Sequence, residues 1–193
     1  MMRIITGKAK GTRLFTLPGD DVRPTTEAAK EGVFSAIQFD LYQTEFLDLF
    51  AGSGQMGLEA LSRGAKEATF VDASEDSIAV IRKNAEKTKL LPQCRIVRSE
   101  YGEYIKSAGK RGKKFDFIFA DPPYAKDLAP ELVKRIIKAD LLKPGGVLIA
   151  ETAAPELDGS KIPESVLDRI ASIKQYSFSR CHFYFVRLKG EEE

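Results

Sequence analysis

The sequence has little cysteine, little net charge and no long run of apolar residues. Its two cysteines, Cys94 and Cys181, lie far apart without CxxC spacing, so neither a zinc site nor a disulfide framework is indicated. No run reaches the ~20 apolar residues of a membrane-spanning helix, and the N-terminus lacks an apolar stretch long enough for a signal peptide. We therefore expect a cytoplasmic protein with no metal site and no membrane partner.

The net charge of +2, with 30% charged residues, differs from that of a strongly basic nucleic-acid protein. Two local clusters are nevertheless basic, and such clusters contact phosphates. The first includes Lys8, Lys10 and Arg13; the second comprises Lys106, Lys110, Arg111, Lys113 and Lys114. For each cluster taken alone, a solvated surface is the alternative interpretation.

The 193 residues, 43% of them hydrophobic, predict one domain with a sizeable core. Residues 1–22 carry two short β-type runs around a basic connector with a glycine at each end. This pattern predicts a hairpin with a positively charged tip. We expect this extension at residues 1–22 and the main domain at residues 23–190.

Strand and helix patterns then alternate along the chain. A first helix is predicted to place Ala29, Val33, Ala36 and Ile37 on one face, with Thr25 or Thr26 as its cap. Strands are predicted at 46–50, 68–72, 95–98, 115–120 and 147–151, separated by helices and, at 142–146, by a turn. This alternation implies βαβ units and a mostly parallel α/β sheet of Rossmann-like type. Two closing runs, 173–178 and 182–188, leave no room for a crossover and are predicted to pair antiparallel.

The segment from Gly52 to Gly57 fits the pattern GxGxxG between a strand and a helix. Its glycines permit a tight turn, and the helix N-terminus offers unpaired N–H groups. Asp72 ends the next strand, where a carboxylate accepts hydrogen bonds from ribose hydroxyls. A plain glycine turn is the alternative, but the strand context and Asp72 favour a nucleotide cofactor.

Asp48 indicates which cofactor the loop favours. It lies at the strand's end, four residues before the first glycine, where a carboxylate would repel a pyrophosphate and attract a cation. S-adenosylmethionine carries an ammonium group and a sulfonium and no phosphate, so Asp48 favours it over NAD. A capping or turn carboxylate is the alternative interpretation.

Asp121-Pro122-Pro123-Tyr124 directly follows the fourth predicted strand. In a rigid diproline turn, the Asp121 carboxylate and the Pro122 carbonyl can both accept hydrogen bonds from one exocyclic NH2 group. This grip aims the nitrogen lone pair at an activated methyl group, and Tyr124 offers a stacking face worth ~1–3 kcal/mol. The proton becomes acidic only after the nitrogen has bonded carbon, so no strong base is needed. The single histidine, His182, is interpreted as structural, and a plain turn is the alternative for the motif.

With these residues, the chain resembles the S-adenosylmethionine-dependent amino-methyltransferases. More closely, it resembles the RsmD-type family of bacterial 16S rRNA guanine-N2 methyltransferases over nearly its whole length. The shared motifs are Arg3-Ile4-Ile5-Thr6-Gly7, Val22-Arg23-Pro24-Thr25-Thr26, Asp48-Leu49-Phe50-Ala51-Gly52-Ser53-Gly54, Gly57-Leu58-Glu59-Ala60-Leu61-Ser62-Arg63-Gly64-Ala65, Phe70-Val71-Asp72 and Asp121-Pro122-Pro123-Tyr124. The resemblance implies a seven-stranded sheet of order 3-2-1-4-5-7-6 whose last two strands form the antiparallel hairpin.

The resemblance also implies the roles of the site residues. Arg23 to Thr26 would close over the methionine end of the cofactor, and Ser99 or Glu100 lies where family members often read the adenine. The predicted cofactor-binding set is Arg23, Thr25, Thr26, Asp48, Phe50, Ala51, Gly52, Ser53, Gly54, Gly57, Asp72, Ala73, Ser74, Ser99 and Glu100. The predicted catalytic set is Asp121, Pro122, Pro123 and Tyr124, and the predicted RNA-binding set is Lys8, Lys10 and Arg13.

The implied reaction is methyl transfer from S-adenosylmethionine to N2 of a loop guanine in 16S rRNA. The enzyme is expected to act as a monomer on a partly or fully assembled small ribosomal subunit. An adenine-N6 or cytosine-N4 methyltransferase acting on DNA or RNA is the alternative, because all three bases present a similar NH2 group. Less favoured are a protein-glutamine methyltransferase, which usually carries Asn-Pro-Pro-Tyr, an NAD(P)-dependent oxidoreductase and a non-enzymatic rRNA-binding assembly factor.

Overall fold

The structure is a computed structural model that describes residues 2–17, 26–122, 128–152, 157–178 and 181–191. The helices are α1 (Glu27–Ile37), α2 (Gln55–Ser62), α3 (Glu75–Lys87), α4 (Tyr101–Lys110), α5 (Ala129–Lys138) and α6 (Glu164–Leu167), with short 3-10 helices at Leu91–Gln93 and Gly159–Lys161. The strands are β1 (Glu45–Leu49), β2 (Glu67–Asp72), β3 (Cys94–Arg98), β4 (Phe115–Ala120), β5 (Leu142–Thr152), β6 (Ile170–Phe178) and β7 (Cys181–Leu188).

The strands form a seven-stranded sheet with the order β3-β2-β1-β4-β5-β7-β6. Strand β2 is parallel to β1 and β3, and β5 is parallel to β4, whereas β7 is antiparallel to both β5 and β6. The predicted fold class, the strand order implied by the resemblance and the closing antiparallel hairpin are therefore confirmed.

By its internal contacts the chain divides into two units, the first of which is Met1–Tyr101. Strand β1 buries Phe46, Leu47 and Leu49 completely, as expected for a parallel strand covered on both faces. The predicted face of α1 was partly wrong, because Ala36 is exposed. The helix is rotated toward the larger Phe34 ring, and its buried side chains are Ala29, Lys30, Val33, Phe34 and Ile37.

Two glycines of the predicted cofactor loop determine how α2 lies against β2. Gly54 is the N-cap of α2 and has a φ of 77°, in the left-handed region that favours glycine. At Gly57, a Cβ atom would lie 2.3 Å from Cε1 of the Phe70 ring on β2. The GxGxxG pattern therefore lets α2 approach the sheet more closely than any side chain would allow.

Residues 2–17, which we call the N-terminal arm, contact α2. The two predicted β-type runs pair antiparallel through one isolated bridge, between Arg3 and Arg13, without forming longer strands. At the connector between them, the Lys8 N–H donates to the Ser62 carbonyl at 2.9 Å, and the Ala9 N–H donates to the Ser62 hydroxyl at 3.0 Å. The connector is thus fastened to the last residue of α2. The division of the chain at residues 22 and 23 stays a prediction.

Glu59 on α2 is the buried anchor of the N-terminal arm. Its side chain is 0% exposed, and its two oxygens accept the N–H groups of Ile5 at 2.8 Å and Thr6 at 3.0 Å. The same carboxylate pairs with Lys30 Nζ on α1 at 3.4 Å and with Arg63 Nε at 2.8 Å. Burial lowers the pKa of Lys30, and the charge of Glu59 opposes this effect. One carboxylate therefore holds the arm, α1 and α2 together.

The second unit is Gly102–Glu193. The predicted turn at 142–146 was wrong, because β5 already begins at Leu142. Phe115 is paired with Leu142 and Phe117 with Val147, so the extra residues of β5 form a bulge opposite Asp116. Lys143 Nζ in the bulge pairs with the Asp116 carboxylate at 2.8 Å. The Pro-Gly-Gly sequence thus interrupts the ladder locally without ending the strand.

Replacing Glu59 with alanine should lower the free energy of unfolding by about 3–5 kcal/mol. The change leaves the buried Lys30 ammonium without its carboxylate and removes the acceptor of two arm N–H groups. Urea unfolding of both proteins measures the difference. Replacing the exposed Glu31 of α1 with alanine is the control, with an expected change within about 0.5 kcal/mol. A loss of less than about 1 kcal/mol at Glu59 would show that this anchor contributes little to stability.

Candidate cofactor-binding site

The carboxyl ends of β1, β2 and β3 carry most of the predicted cofactor-binding residues. The N–H groups of Phe50 and Ala51 both donate to the Val71 carbonyl at 3.0 Å, which joins the loop after β1 to β2. The Ser99 N–H donates to the Asp72 carbonyl at 3.0 Å, which joins the start of the loop after β3 to β2. Ligands of open α/β sheets bind outside this end of the strands. The first unit therefore brings these predicted residues together at one edge.

Asp72 holds the cofactor loop through its side chain. One carboxylate oxygen accepts the Gly52 N–H at 2.8 Å, and the other accepts the Ser74 N–H at 2.9 Å. Each oxygen retains a further lone pair for a hydroxyl donor. The sequence analysis missed this loop-holding role, and the predicted role of Asp72 in ribose binding stays a prediction.

Asp48 is a buried carboxylate beneath the same loop. It is 2% exposed, and its Oδ2 accepts the N–H of Gly57 in the first turn of α2 at 2.9 Å. One oxygen therefore does act as a cap, as the alternative interpretation proposed. Burial raises the pKa of Asp48 to about 7; the Gly57 N–H opposes this shift and the charge of Asp72 adds to it. A bound cation would stabilise the ionised form, whereas a pyrophosphate would destabilise it further.

Phe50 has an uncommon backbone conformation at the start of the loop. Its φ is 70°, in the left-handed region that non-glycine residues rarely adopt. Its ring lies against Tyr101, with ring centroids 4.9 Å apart and planes tilted by 39°. Strained conformations of this kind cost about 1–3 kcal/mol and cluster at functional sites. Here the hydrogen bond from Phe50 to Val71 helps to hold the strained backbone.

Asn84 on α3 connects the cofactor loop with the N-terminal arm. Its Nδ2 donates to the carbonyls of Ser53 at 2.9 Å and Phe15 at 3.0 Å, while its Oδ1 accepts the Phe15 N–H at 2.7 Å. Ser53 also contacts the arm directly, because its hydroxyl lies 3.0 Å from the Met2 sulfur. Sequence reasoning missed Asn84. The signal for it was a polar residue at a buried helical position, three residues after the apolar Ile81.

The remaining residues of these loops are also locally fixed. Ser74 is the N-cap of α3, and its hydroxyl accepts the Ser77 N–H at 3.3 Å. The Ala73 carbonyl accepts from Arg98 Nε at 3.3 Å, and the Ser99 hydroxyl donates to the Glu100 carbonyl at 3.0 Å. Ser99 is half-buried and Glu100 is exposed. The predicted role of Ser99 or Glu100 in reading the adenine stays a prediction.

Other predicted residues lie elsewhere in the chain. Thr26 caps α1, where its hydroxyl accepts the Ala29 N–H at 3.2 Å. Asp121 is half-buried and Pro122 is buried, directly after β4 in the second unit. Arg23, Thr25, Pro123 and Tyr124 fall outside the described residues. All of these roles stay predictions.

The predicted RNA-binding residues lie on the surface of the N-terminal arm. Lys8, Lys10 and Arg13 are exposed, and Lys8 Nζ donates to Gln93 Oε1 at 2.5 Å. Within the described ranges, no three side chains form a group that could hold a metal ion. No helix in the same part of the chain is long and apolar enough to cross a membrane.

Known proteins share both the sequence pattern and the fold. The model of the family described as conserved hypothetical protein 95 matches residues 2–185. The ribosomal RNA small subunit methyltransferase D of Haemophilus influenzae is 33% identical over 78% of this chain and 78% of its own length. YlbH of Bacillus subtilis is 34% identical over 90% of this chain and 92% of its own.

The chain belongs to this family, the RsmD family. The solved structure of YhhF from Escherichia coli superposes with a TM-score of 0.81 at 25% identity, over 98% of this chain and 99% of that one. The predicted family, the predicted methyltransferase class and S-adenosylmethionine as the methyl donor are thereby confirmed. The carboxylates described above fit this cofactor. The buried Asp48 carboxylate suits its ammonium group and would repel a phosphate.

Replacing Asp48 with asparagine should change how stability depends on pH. The carboxyl group has a pKa near 3.8 in the unfolded chain and about 7 in the folded one. Between these values the folded chain binds more protons, so the stability of the wild type falls as the pH rises. The unfolding free energy of the variant minus that of the wild type should therefore grow by up to about 4 kcal/mol between pH 4 and pH 7, then level off.

Urea unfolding of the wild type and the Asp48→Asn variant at several pH values checks this expectation. The subtraction removes the titration of the groups that both proteins share. A difference that stays constant from pH 4 to pH 8 would mean that Asp48 ionises normally in the folded protein.

Proposed function

We propose that this chain transfers a methyl group from S-adenosylmethionine to the exocyclic N2 amino group of a guanine in 16S rRNA. The main support is the similarity over most of both chains to a relative named ribosomal RNA small subunit methyltransferase D. The substrate is a loop guanine presented by a partly or fully assembled small subunit, and the enzyme acts as a monomer. A loop whose bases are unstacked offers the base edge that such an enzyme must reach.

The first unit supplies the groups that hold the methyl donor. S-adenosylmethionine brings a methyl group already activated by a positively charged sulfur, so the protein contributes mainly position. The Asp48 carboxylate receives the ammonium group, and binding a cation lowers the cost of its burial. Asp72 receives the ribose hydroxyls while it keeps its hydrogen bonds to Gly52 and Ser74. These hydrogen bonds within the protein fix the shape of the loop around Asp72.

The segment after β4 supplies the groups that hold the acceptor. The Asp121 carboxylate and the Pro122 carbonyl accept the two N–H groups of the guanine amino group. This withdraws the nitrogen lone pair from the ring and directs it toward the methyl group. The S–CH3 bond of the donor breaks as the N–C bond forms, and S-adenosylhomocysteine is the leaving product. The methylated nitrogen then loses one proton, and water suffices to accept it. Tyr124 stacks on the base in this proposal.

Transfer of labelled methyl from S-adenosylmethionine by the pure protein tests the proposal. The substrates are small subunits lacking the modification, naked 16S rRNA and duplex DNA, each digested to nucleosides afterwards. We expect label in N2-methylguanosine, and most of it with the subunit particle as substrate. Label in N6-methyladenine or N4-methylcytosine would support the alternative acceptors and contradict the guanine assignment. No label in any of the three substrates would contradict the nucleic-acid substrate itself.

The Asp121→Asn variant tests the acceptor grip in the same assay. The asparagine Oδ1 can still accept an N–H, but it lacks the negative charge that strengthens this hydrogen bond, so we expect kcat to fall by at least about tenfold with the affinity for S-adenosylmethionine unchanged. Asp168→Asn, an exposed position in the same unit, is the matched control and should keep full activity. A variant at Asp121 with normal kcat would remove this residue from the proposed mechanism.

A further inference from the structure

Phe15, on the outward face of the N-terminal arm, has no part in the reaction described above. It is 48% exposed, although an aromatic ring of this size is usually buried. The preceding residue, Leu14, is buried, and Arg13 is exposed. Because side chains alternate along an extended segment, Arg13 and Phe15 share the outward face of the arm.

The backbone of Phe15 is held firmly in place. Its N–H donates to Asn84 Oδ1 at 2.7 Å, and its carbonyl accepts from Asn84 Nδ2 at 3.0 Å. Asn84 is completely buried and also donates to the Ser53 carbonyl of the cofactor loop. A chain segment with both backbone groups fixed by one buried side chain loses little further freedom when its side chain binds a ligand. Phe15 is therefore an exposed ring on a fixed support.

The surroundings of the ring are mostly cationic. Lys87 Nζ on α3 lies 4.3 Å from the centroid of the Phe15 ring. The ring borders an open depression lined by Phe15, Thr16, Val80, Lys83, Glu86 and Lys87. Lys83 and Lys87 are four residues apart and therefore lie on the same face of α3. With Arg13, this surface has three cationic side chains and one carboxylate, that of Glu86. Its net charge is therefore positive.

We propose that Phe15, Arg13, Lys83 and Lys87 form a binding surface for a single-stranded segment of the RNA substrate. We call this surface the Phe15 platform. The inference rests on the proposed function, because that function supplies the RNA. One base stacks on the exposed part of the ring, and the three cations contact the neighbouring phosphates. An aromatic ring flanked by basic side chains binds unpaired bases of any identity. A duplex already stacks its bases internally and has none free for the ring.

The absence of tryptophan in this chain allows a direct test. The Phe15→Trp variant carries one tryptophan on the proposed platform, and a stacked base quenches its fluorescence. The probe is a single-stranded RNA of about ten nucleotides, with a duplex of the same sequence for comparison. We expect saturable quenching by the single strand, at concentrations at least about tenfold lower than the duplex requires. The matched control is Phe39→Trp, at a position that is 91% exposed on the turn after α1.

Quenching confined to position 15 supports the platform. No saturable quenching at position 15, or equal quenching at positions 15 and 39, overturns it. The same titration at several salt concentrations measures the salt dependence of binding. Replacing both Lys83 and Lys87 with glutamine should weaken binding and make the affinity fall less steeply as the salt concentration rises. An unchanged salt dependence in that double variant counts against the cationic part of the surface.

Steady-state methylation provides a second, independent measurement. Phe15→Ala should raise KM for the RNA substrate about tenfold, with kcat and the affinity for S-adenosylmethionine unchanged. Phe15→Trp should restore KM, and Phe39→Ala should leave it unchanged. A normal KM in Phe15→Ala overturns the platform. If the wild type transfers no methyl group to RNA, the proposed function fails, while the fluorescence titration still decides whether the platform binds RNA.

Discussion

The cofactor loop depends on two carboxylates that lie at the ends of adjacent strands. Asp72 accepts the N–H groups of Gly52 and Ser74, and Asp48 accepts that of Gly57. The glycines permit the turn, but these hydrogen bonds fix its shape. The two positions differ in environment, because Asp48 is buried and its pKa is raised to about 7, whereas Asp72 is only half-buried. A bound cation would therefore stabilise the ionised form of the buried Asp48 and offset the cost of its burial.

The N-terminal arm belongs to the scaffold of this loop. Glu59 holds the arm from α2, where it also pairs with Lys30 of α1. Asn84 holds the arm from α3 and donates to the Ser53 carbonyl within the loop. A surface that contacts RNA and a loop that holds the methyl donor would therefore share one set of buried polar anchors. Asn84 is the side chain that contacts both, through Phe15 of the arm and Ser53 of the loop.

Much of the fold could be predicted because its signals are local. Apolar runs and glycine positions indicated every strand, and the order of the sheet followed from the family resemblance. The anchors could not be predicted, because their partners are distant in sequence: Glu59 and Ile5 are 54 residues apart. Glu59 and Asn84 are polar residues at buried helix positions, and their contacts depend on tertiary packing. The bulge in β5 was mistaken for a turn because a Pro-Gly-Gly sequence favours both.

In the proposed function, the buried Asp48 carboxylate receives the ammonium group of S-adenosylmethionine. Calorimetric titration at pH 6, in two buffers with different ionisation enthalpies, measures the protons released on binding. With a pKa of about 7, Asp48 is mostly protonated in the free protein at this pH and must ionise to bind the cation. We predict release of close to one proton by the wild type and none by Asp48→Asn, which should also bind more weakly. Equal affinities and equal proton release in the two proteins would contradict the claim.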